Sequence, residues 1–253
     1  MRLVLFTKDH DIYSPFIKEC SDKFDHVLIV TSDRSTSEIQ GIRCIFHNFK
    51  NSEKYSLLVQ QVNDFNADLL ISFCYNRIIH QDILDIIPLC VNFHGSLLPN
   101  YAGAHALNWQ IINGETKSGM TIHQLSKEVD GGKIIMQHEF EILKNDDVND
   151  VLHKLISSSC ILLKDFMDKF KDNNLSFITQ ERTGNEFICR KRTPEDGLLT
   201  SKMSPHQVYN MCRGLAYPWP GAFYVNPQTE EKVSIATKIE LKKADSIVKI
   251  LRG

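Results

Sequence analysis

No glycine occurs before Gly41, although the chain opens on a strand-like Leu3-Val4-Leu5-Phe6 that leads into Lys8-Asp9-His10-Asp11. The close backbone approach to a pyrophosphate that a Gly-x-Gly-x-x-Gly turn supplies is therefore excluded where it would stand. A P-loop is absent too, so any phosphate must be met by side chains or by other loops. No apolar stretch approaches the ~18 residues that span a bilayer, and the start lacks a long apolar segment with a small-residue cleavage site, so neither a membrane span nor a signal peptide is expected. Charge of one sign is also lacking. The 29 Lys and Arg nearly balance 31 Asp and Glu, and no global field draws the protein to nucleic acid or to an anionic membrane.

The seven cysteines (Cys20, Cys44, Cys74, Cys90, Cys160, Cys189 and Cys212) form no Cys-x-x-Cys pair. Their odd number and their places in apolar runs are those of reduced thiols and point to the cytoplasm. Gly-x-Ser-x-Gly is missing, so Ser96 is not read as an acyl-enzyme nucleophile. His105, His123 and His138 lack a carboxylate or cysteine at metal-ligand spacing, so no metal is expected.

What the sequence does hold is a core. With 253 residues and 42% hydrophobic content, one α/β domain and a small appendage can be buried. Apolar runs near residues 3–7, 27–31, 43–47, 69–73 and 90–94 read as strands. They alternate with amphipathic segments near 14–23, 53–65 and 105–113, which predicts a Rossmann-like, mostly parallel sheet with helices on both faces. Strand candidates at 120–125 and 133–141 lie too close for a helical crossover, so one of them is expected to run antiparallel. Asp147 or Asn145 is expected to cap a long helix to Phe170, and Ser204-Pro205 to start another. Residues 1–180 read as the main domain. Residues 181–253 read as a linker and a small C-terminal α+β module, with a hairpin over 224–235 and another strand near Val248–Leu251.

The chemistry gathers in Asn92-Phe93-His94-Gly95-Ser96-Leu97-Leu98-Pro99. Asn92 and His94 are two apart at the carboxyl end of a predicted strand, so both side chains leave one face, where open α/β sheets place ligands. A carboxamide beside an imidazole can hydrogen-bond an oxyanion as a carbonyl becomes tetrahedral. Asp130, in Val129-Asp130-Gly131-Gly132, is the candidate acid-base partner, able to fix the imidazole tautomer and move a proton.

These segments, with Tyr101-Ala102-Gly103-Ala104 and Gly119-Met120-Thr121-Ile122-His123, closely resemble the formyltetrahydrofolate-dependent formyltransferase family over about residues 1–180. That family includes methionyl-tRNA formyltransferase, glycinamide ribonucleotide formyltransferase and the sugar N-formyltransferases. The resemblance implies Asn92, His94 and Asp130 as catalytic residues and 10-formyltetrahydrofolate as co-substrate without a metal. It implies a folate site on Tyr75, Asn76, Arg77, Ile78, Ile79 and the residues up to Asp130.

The segments Arg192-Thr193-Pro194-Glu195-Asp196-Gly197 and Tyr209–Phe223 resemble those of the enzymes acting on methionyl-tRNA and on nucleotide-linked 4-amino sugars. Beyond Phe223 the tail is too short for a five-stranded tRNA-binding barrel, which disfavours nucleic acid. The expected acceptor is a nucleotide-linked amino sugar, dTDP-4-amino-4,6-dideoxyglucose before a UDP sugar, in the synthesis of a surface polysaccharide such as O-antigen. Formylation of methionyl-tRNA and hydrolysis of formyltetrahydrofolate are the alternatives. Lys8, His10, Arg192 and Arg213 are candidate phosphate contacts, and Asn210, on the same helix face as Arg213, is a further candidate substrate contact. Trp219, Tyr217 or Tyr224 is the candidate platform for the base. Strand edges at 223–225, 232–235 and 247–251 predict a homodimer.

Overall fold

In the computed structural model, residues 1–8, 11–32, 38–47 and 52–252 are described. The elements follow in order: β1 (Arg2–Thr7), α1 (Ser14–Lys23), β2 (His26–Thr31), β3 (Glu38–Ile39), β4 (Ile42–Phe46), α2 (Ser52–Phe65), β5 (Leu69–Phe73) and α3 (Gln81–Leu84). After them come β6 (Cys90–His94), β7 (Ala102–Gly103), α4 (Ala106–Ile112), β8 (Lys117–Gln124), β9 (Ile134–Glu141) and α5 (Val148–Lys171). The chain ends through β10 (Ile188–Cys189), α6 (Pro205–Gly214), β11 (Ala222–Val225), β12 (Lys232–Ile235) and α7 (Leu241–Arg252).

Eight strands form one sheet in the order β3-β4-β2-β1-β5-β6-β8-β9. β4, β2, β1, β5 and β6 are parallel, while β8 runs antiparallel to both β6 and β9. Period-two alternation decides which side each residue serves. Leu3, Leu5, Ile29, Ile71, Phe73 and Phe93 pack with Phe16 and Ile17 of α1 and with Leu163 and Phe166 of α5. Val4, Phe6, Leu28, Val30 and Leu70 pack with Leu58 and Val62 of α2 and Ile83 of α3. Each such fully buried side chain contributes about 1.5–3 kcal/mol relative to exposure. From β1 the chain winds outward through β2 to β4, then returns past β1 to β5 and β6. Thr7 at the end of β1 and Phe73 at the end of β5 therefore flank the switch point at which such sheets bind ligands.

Local signals set the helix starts. The Asp147 carboxylate accepts from the backbone N–H of Asn149 and Asp150, and Asp150 returns a bond to the Asp147 N–H. Ser204 and Gln207 make the same reciprocal cap on α6.

A separate cluster forms from Leu199, α6, the β11–β12 hairpin and α7, including Val208, Cys212, Tyr224, Ile235, Ile247 and Val248. The strand expected near Val248–Leu251 is instead the end of helix α7. Leu241, Ala244, Val248 and Leu251 recur at helical spacing on the packed face, and that burial overrides the strand preference of Ile247, Val248 and Ile250. One of the three edges behind the homodimer expectation is thus a helix. Among the described residues no helix is long and apolar enough to cross a membrane.

Candidate active site

Asn92 and His94 leave β6 on the face opposite Val91 and Phe93, whose side chains lie in the core. The antiparallel pairing of β6 with β8 sets His123 directly across from Asn92, so both emerge on the same face. Asn92 Nδ2 lies 3.1 Å from His123 Nε2. The turn between β8 and β9 brings Asp130 back over this pair. Asp130 Oδ2 is 3.4 Å from His94 Nδ1, and Oδ1 is 3.4 Å from both His123 Nε2 and Asn92 Nδ2.

Two loops hold the aspartate. The Gly103 N–H donates to Asp130 Oδ2 at 2.8 Å. Asp130 itself sits at φ +50, a region that aspartate tolerates better than most residues. A Cβ on Gly132 would stand 1.9 Å from Gln124 O, so this half of the Gly-Gly pair is required by close backbone approach.

Backbone carbonyls settle both histidine tautomers. His94 Nε2 lies 2.8 Å from Tyr101 O, and His123 Nδ1 lies 2.8 Å from Gln124 O. A carbonyl only accepts, so each of these nitrogens carries a proton. In neutral rings His94 Nδ1 and His123 Nε2 then hold lone pairs, and both are turned toward Asp130. An extra proton on either ring converts that contact into an ion pair, so the three groups form a seat for one transferable proton. The 3.4 Å separation between Asn92 Nδ2 and Asp130 Oδ1 exceeds the ~2.8 Å of a tight charge-assisted bond, which leaves an Asn92 N–H free to turn toward a substrate oxygen.

Burial lowers the affinity of His94 for a proton, with Asp130 and Tyr101 O pulling it back up and His123 acting against it. For Asp130 burial acts upward, but the His123 contact, the proximity of His94 and the Gly103 N–H outweigh it and hold the carboxyl at about 2. Asp130 is therefore the ionised member of the set at neutral pH, and His94 resists ionisation.

Two residues beyond Gly103, His105 opens a cavity that Arg192, Thr193, Trp219 and Gly221 also line. His105 Nδ1 accepts from the Arg192 N–H at 3.2 Å, and its ring meets Trp219 edge-on at 5.5 Å. Burial holds His105 below the usual histidine range, and Arg192, Lys191 and Lys8 add to this against Asp196 alone. Asp196 in turn is bound by Arg190 through both oxygens. Arg190 and Arg192 lie over the Trp109 ring at 5.2 and 5.3 Å, and Arg192 Nε is buried with no hydrogen-bond partner. This wall has an excess of positive charge.

Of the residues expected from sequence, Asn92, His94 and Asp130 meet. Arg192 and Trp219 share the adjacent cavity, and Lys8 is near enough to influence both His105 and Cys74. His10 lies outside the described residues. Asn210 and Arg213 are elsewhere: Arg213 is only 5% exposed, its Nε donates to Asn210 Oδ1 at 2.9 Å and its Nη1 to Asp146 O at 2.9 Å. Arg213 is thus spent tying α6 to the loop before α5, with Asn210 Oδ1 bound to its Nε, and neither residue lines the cavity at His105 and Trp219. Tyr224 is buried and offers no stacking face, whereas Tyr217 is exposed. Trp219 also packs on the cluster of Leu107, Ile111 and Val151, so it serves the junction as well as the cavity.

On the loop after β5, Tyr75 OH bonds His47 Nδ1 at 2.5 Å and Asn76 Oδ1 accepts from Ser32 at 2.9 Å. Ile79 packs into the core, Arg77 is exposed, and Ile78 is 73% exposed. Sequence alone gives His123 no role beyond its place in the Gly119–His123 segment. Its place depends on the β6–β8 register, which no local signal reveals. Among the described residues no group of three His, Cys, Asp or Glu could hold a metal ion.

The chain is 36% identical over 166 residues to the bifunctional polymyxin resistance protein ArnA of Wigglesworthia glossinidia brevipalpis, which covers 65% of this chain and 25% of that protein. The chain thus spans about a quarter of that relative's length. Similar solved structures include a 4-N formyltransferase from Francisella tularensis (TM-score 0.75, 22% identity, 94% of this chain and 98% of that one). A sugar N-formyltransferase from Shewanella sp FDAARGOS_354 gives TM-score 0.69 at 22% identity over 95% and 98%. HypX from Aquifex aeolicus in complex with tetrahydrofolic acid gives 0.69 at 17% over 88% and 36%. At these identities the likenesses show a shared fold. The family match is more direct: residues 6–166 fit the family described as formyl transferase, a span that holds Asn92, His94, His123 and Asp130. The chain belongs to the formyl transferase family, enzymes that transfer formyl groups.

Proposed function

We propose that this enzyme transfers the formyl group of 10-formyltetrahydrofolate to the amino group of a nucleotide-linked amino sugar. The observation that carries the reading is the position of the cationic and aromatic cavity at His105, Arg192 and Trp219, two residues along the chain from the Gly103 N–H that binds Asp130. A diphosphate held by Arg192 and Lys8, with a base against Trp219, directs the sugar amine toward the centre. An anion site beside an aromatic ring supports a nucleotide sugar as the acceptor class. Within it, dTDP-4-amino-4,6-dideoxyglucose is the first choice and a UDP amino sugar the second, both of them precursors of a surface polysaccharide such as O-antigen.

The folate supplies the formyl carbon and, through N10, the leaving group. The exposed Ile78 and Val129, on the loops after β5 and before Asp130, suit a flat heterocycle that needs an apolar face beside backbone polar groups. An N–H of Asn92 turns to the formyl oxygen as it gains negative charge, joined by the Nδ1–H of His94 once that ring has taken the proton of the amine. The attacking amine forms the new C–N bond and gives up a proton to the seat formed by Asp130, His94 and His123. His94 then delivers that proton to N10 as the old C–N bond breaks, leaving the enzyme as it began. Transfer of radiolabelled formyl to a panel of dTDP and UDP amino sugars, glycinamide ribonucleotide and methionyl-tRNA tests the reading. Labelled nucleotide sugar supports it. Labelled methionyl-tRNA alone, or release of formate without an acceptor, overturns it.

A further inference from the structure

The segment after α5 is stitched to the Asp130 turn by alternate residues. Ile178 exchanges both backbone hydrogen bonds with Ile134 at 2.8 Å. Gln180 Nε2 donates to Asp130 O at 2.8 Å and to Gly132 O at 2.7 Å. Arg182 pairs with Glu128. In extended chain, residues two apart leave the same face, so 178, 180 and 182 meet 134, 132 with 130, and 128 in antiparallel sequence. Continuing, the segment accepts from the Tyr101 N–H through Phe187 O at 2.8 Å and from the Ala104 N–H through Cys189 O at 3.2 Å. One stretch of chain therefore grips both the turn that carries Asp130 and the loop whose Tyr101 O and Gly103 N–H bind His94 and Asp130.

Gln180 is the member of this stitch nearest the chemistry. Both of its partners are carbonyls, which only accept, so its NH2 faces them and the orientation of the amide is fixed. Its own Oε1 is left buried with no hydrogen-bond partner. With its amide oriented by two carbonyls, the side chain acts on the turn through its nitrogen.

We propose that Gln180 is a positioning residue of the transfer centre, which by binding the carbonyls of Asp130 and Gly132 fixes the turn that aims the Asp130 carboxylate at His94 and His123. It lies outside the family-matched residues 6–166 and touches no reacting atom. The inference rests on Asp130 acting in formyl transfer. Losing the clamp lets the carboxylate move by fractions of an ångström, and misplacement on that scale acts on turnover rather than on ground-state binding.

The test compares the full chain with Gln180→Leu and the near-isosteric Gln180→Glu, which has no donor for the two carbonyls. Thermal unfolding first establishes that at least one variant folds. Steady-state kinetics with the accepted nucleotide sugar are expected to show kcat lower by at least ~10-fold, with KM for sugar and folate within about threefold of the parent. Histidine titrations followed by NMR in the free protein give a second readout. The midpoint of His94 falls when the carboxylate that supports its charge drifts away. A folded variant with kcat within about twofold of the parent overturns the inference, as does lower kcat with the His94 midpoint unmoved, since packing alone gives that result. If the parent formylates none of the acceptors yet the His94 midpoint still moves in the variants, the positioning role stands and the functional reading falls.

Discussion

Asn92 and His123 face each other across the antiparallel β6–β8 pair, with the carboxamide nitrogen of one 3.1 Å from Nε2 of the other. Because Gln124 O holds the proton on His123 Nδ1, Nε2 presents a lone pair, and Asn92 must turn its NH2 rather than its oxygen to this side. His123 thereby sets the orientation of the amide that is to meet the formyl oxygen. We expect Asn92→Ala, His94→Ala and Asp130→Ala each to lower turnover by at least ~100-fold. His123→Ala is expected to lower it by about 10-fold, because the amide can still adopt the productive orientation part of the time. Folate binding, measured by titration calorimetry, persists in all four. Near-parental turnover in a folded His94→Ala protein contradicts the assignment of the centre.

The acid side of the stability profile follows from the same cluster. Asp130 is held at about 2 against an ordinary 3.8, so its contribution is complete above pH ~4 and is lost as pH falls toward 2, on the order of 2 kcal/mol. His94 is depressed below its ordinary 6.5, so folding favours its neutral form, and stability declines as pH drops below that value. Urea unfolding at pH 7, 5 and 3 is expected to show Asp130→Asn losing less stability than the parent over the most acidic step. Parallel curves for the two proteins over that step contradict the depressed carboxyl.

Two arginines that look alike in sequence are expected to part in experiment. Arg192→Ala raises the KM for the nucleotide sugar by at least ~10-fold and leaves that for the folate unchanged, as loss of a ground-state phosphate contact does. Arg213→Ala removes a buried cation bonded to Asn210 Oδ1 and Asp146 O and costs about 2–3 kcal/mol of stability, with both KM values kept. Steady-state kinetics beside denaturant midpoints separate the two. The reverse pattern returns Arg213 to the acceptor site.

The paired glycines after Asp130 are not equivalent. A methyl on Gly132 meets the Gln124 carbonyl at 1.9 Å, whereas on Gly131 it meets the flexible Glu128 side chain at 2.5 Å. Gly132→Ala is accordingly expected to displace the turn and lower kcat by at least ~10-fold, while Gly131→Ala stays within about threefold. Equal losses in the two variants argue against close packing as the reason for the second glycine.

What the sequence by itself determined rests on short periods. The continuous apolar runs Leu3–Phe6 and Leu69–Phe73, and the two-residue spacing of Asn92 and His94, are local properties of a strand. They specify the sheet class and place two of the site residues on one face. Caps at Asp147 and Ser204 are equally local, because donor and acceptor lie within three residues. The tertiary structure decided whatever depends on register or burial between distant segments. His123 joins the centre through the alignment of β8 on β6. Arg213 turns inward because α6 packs at the loop before α5. The tail at 248–251 becomes helical because its apolar residues find a partner at period 3.6 rather than 2. Gln180 reaches Asp130 across fifty residues of sequence, a contact that no window along the chain contains.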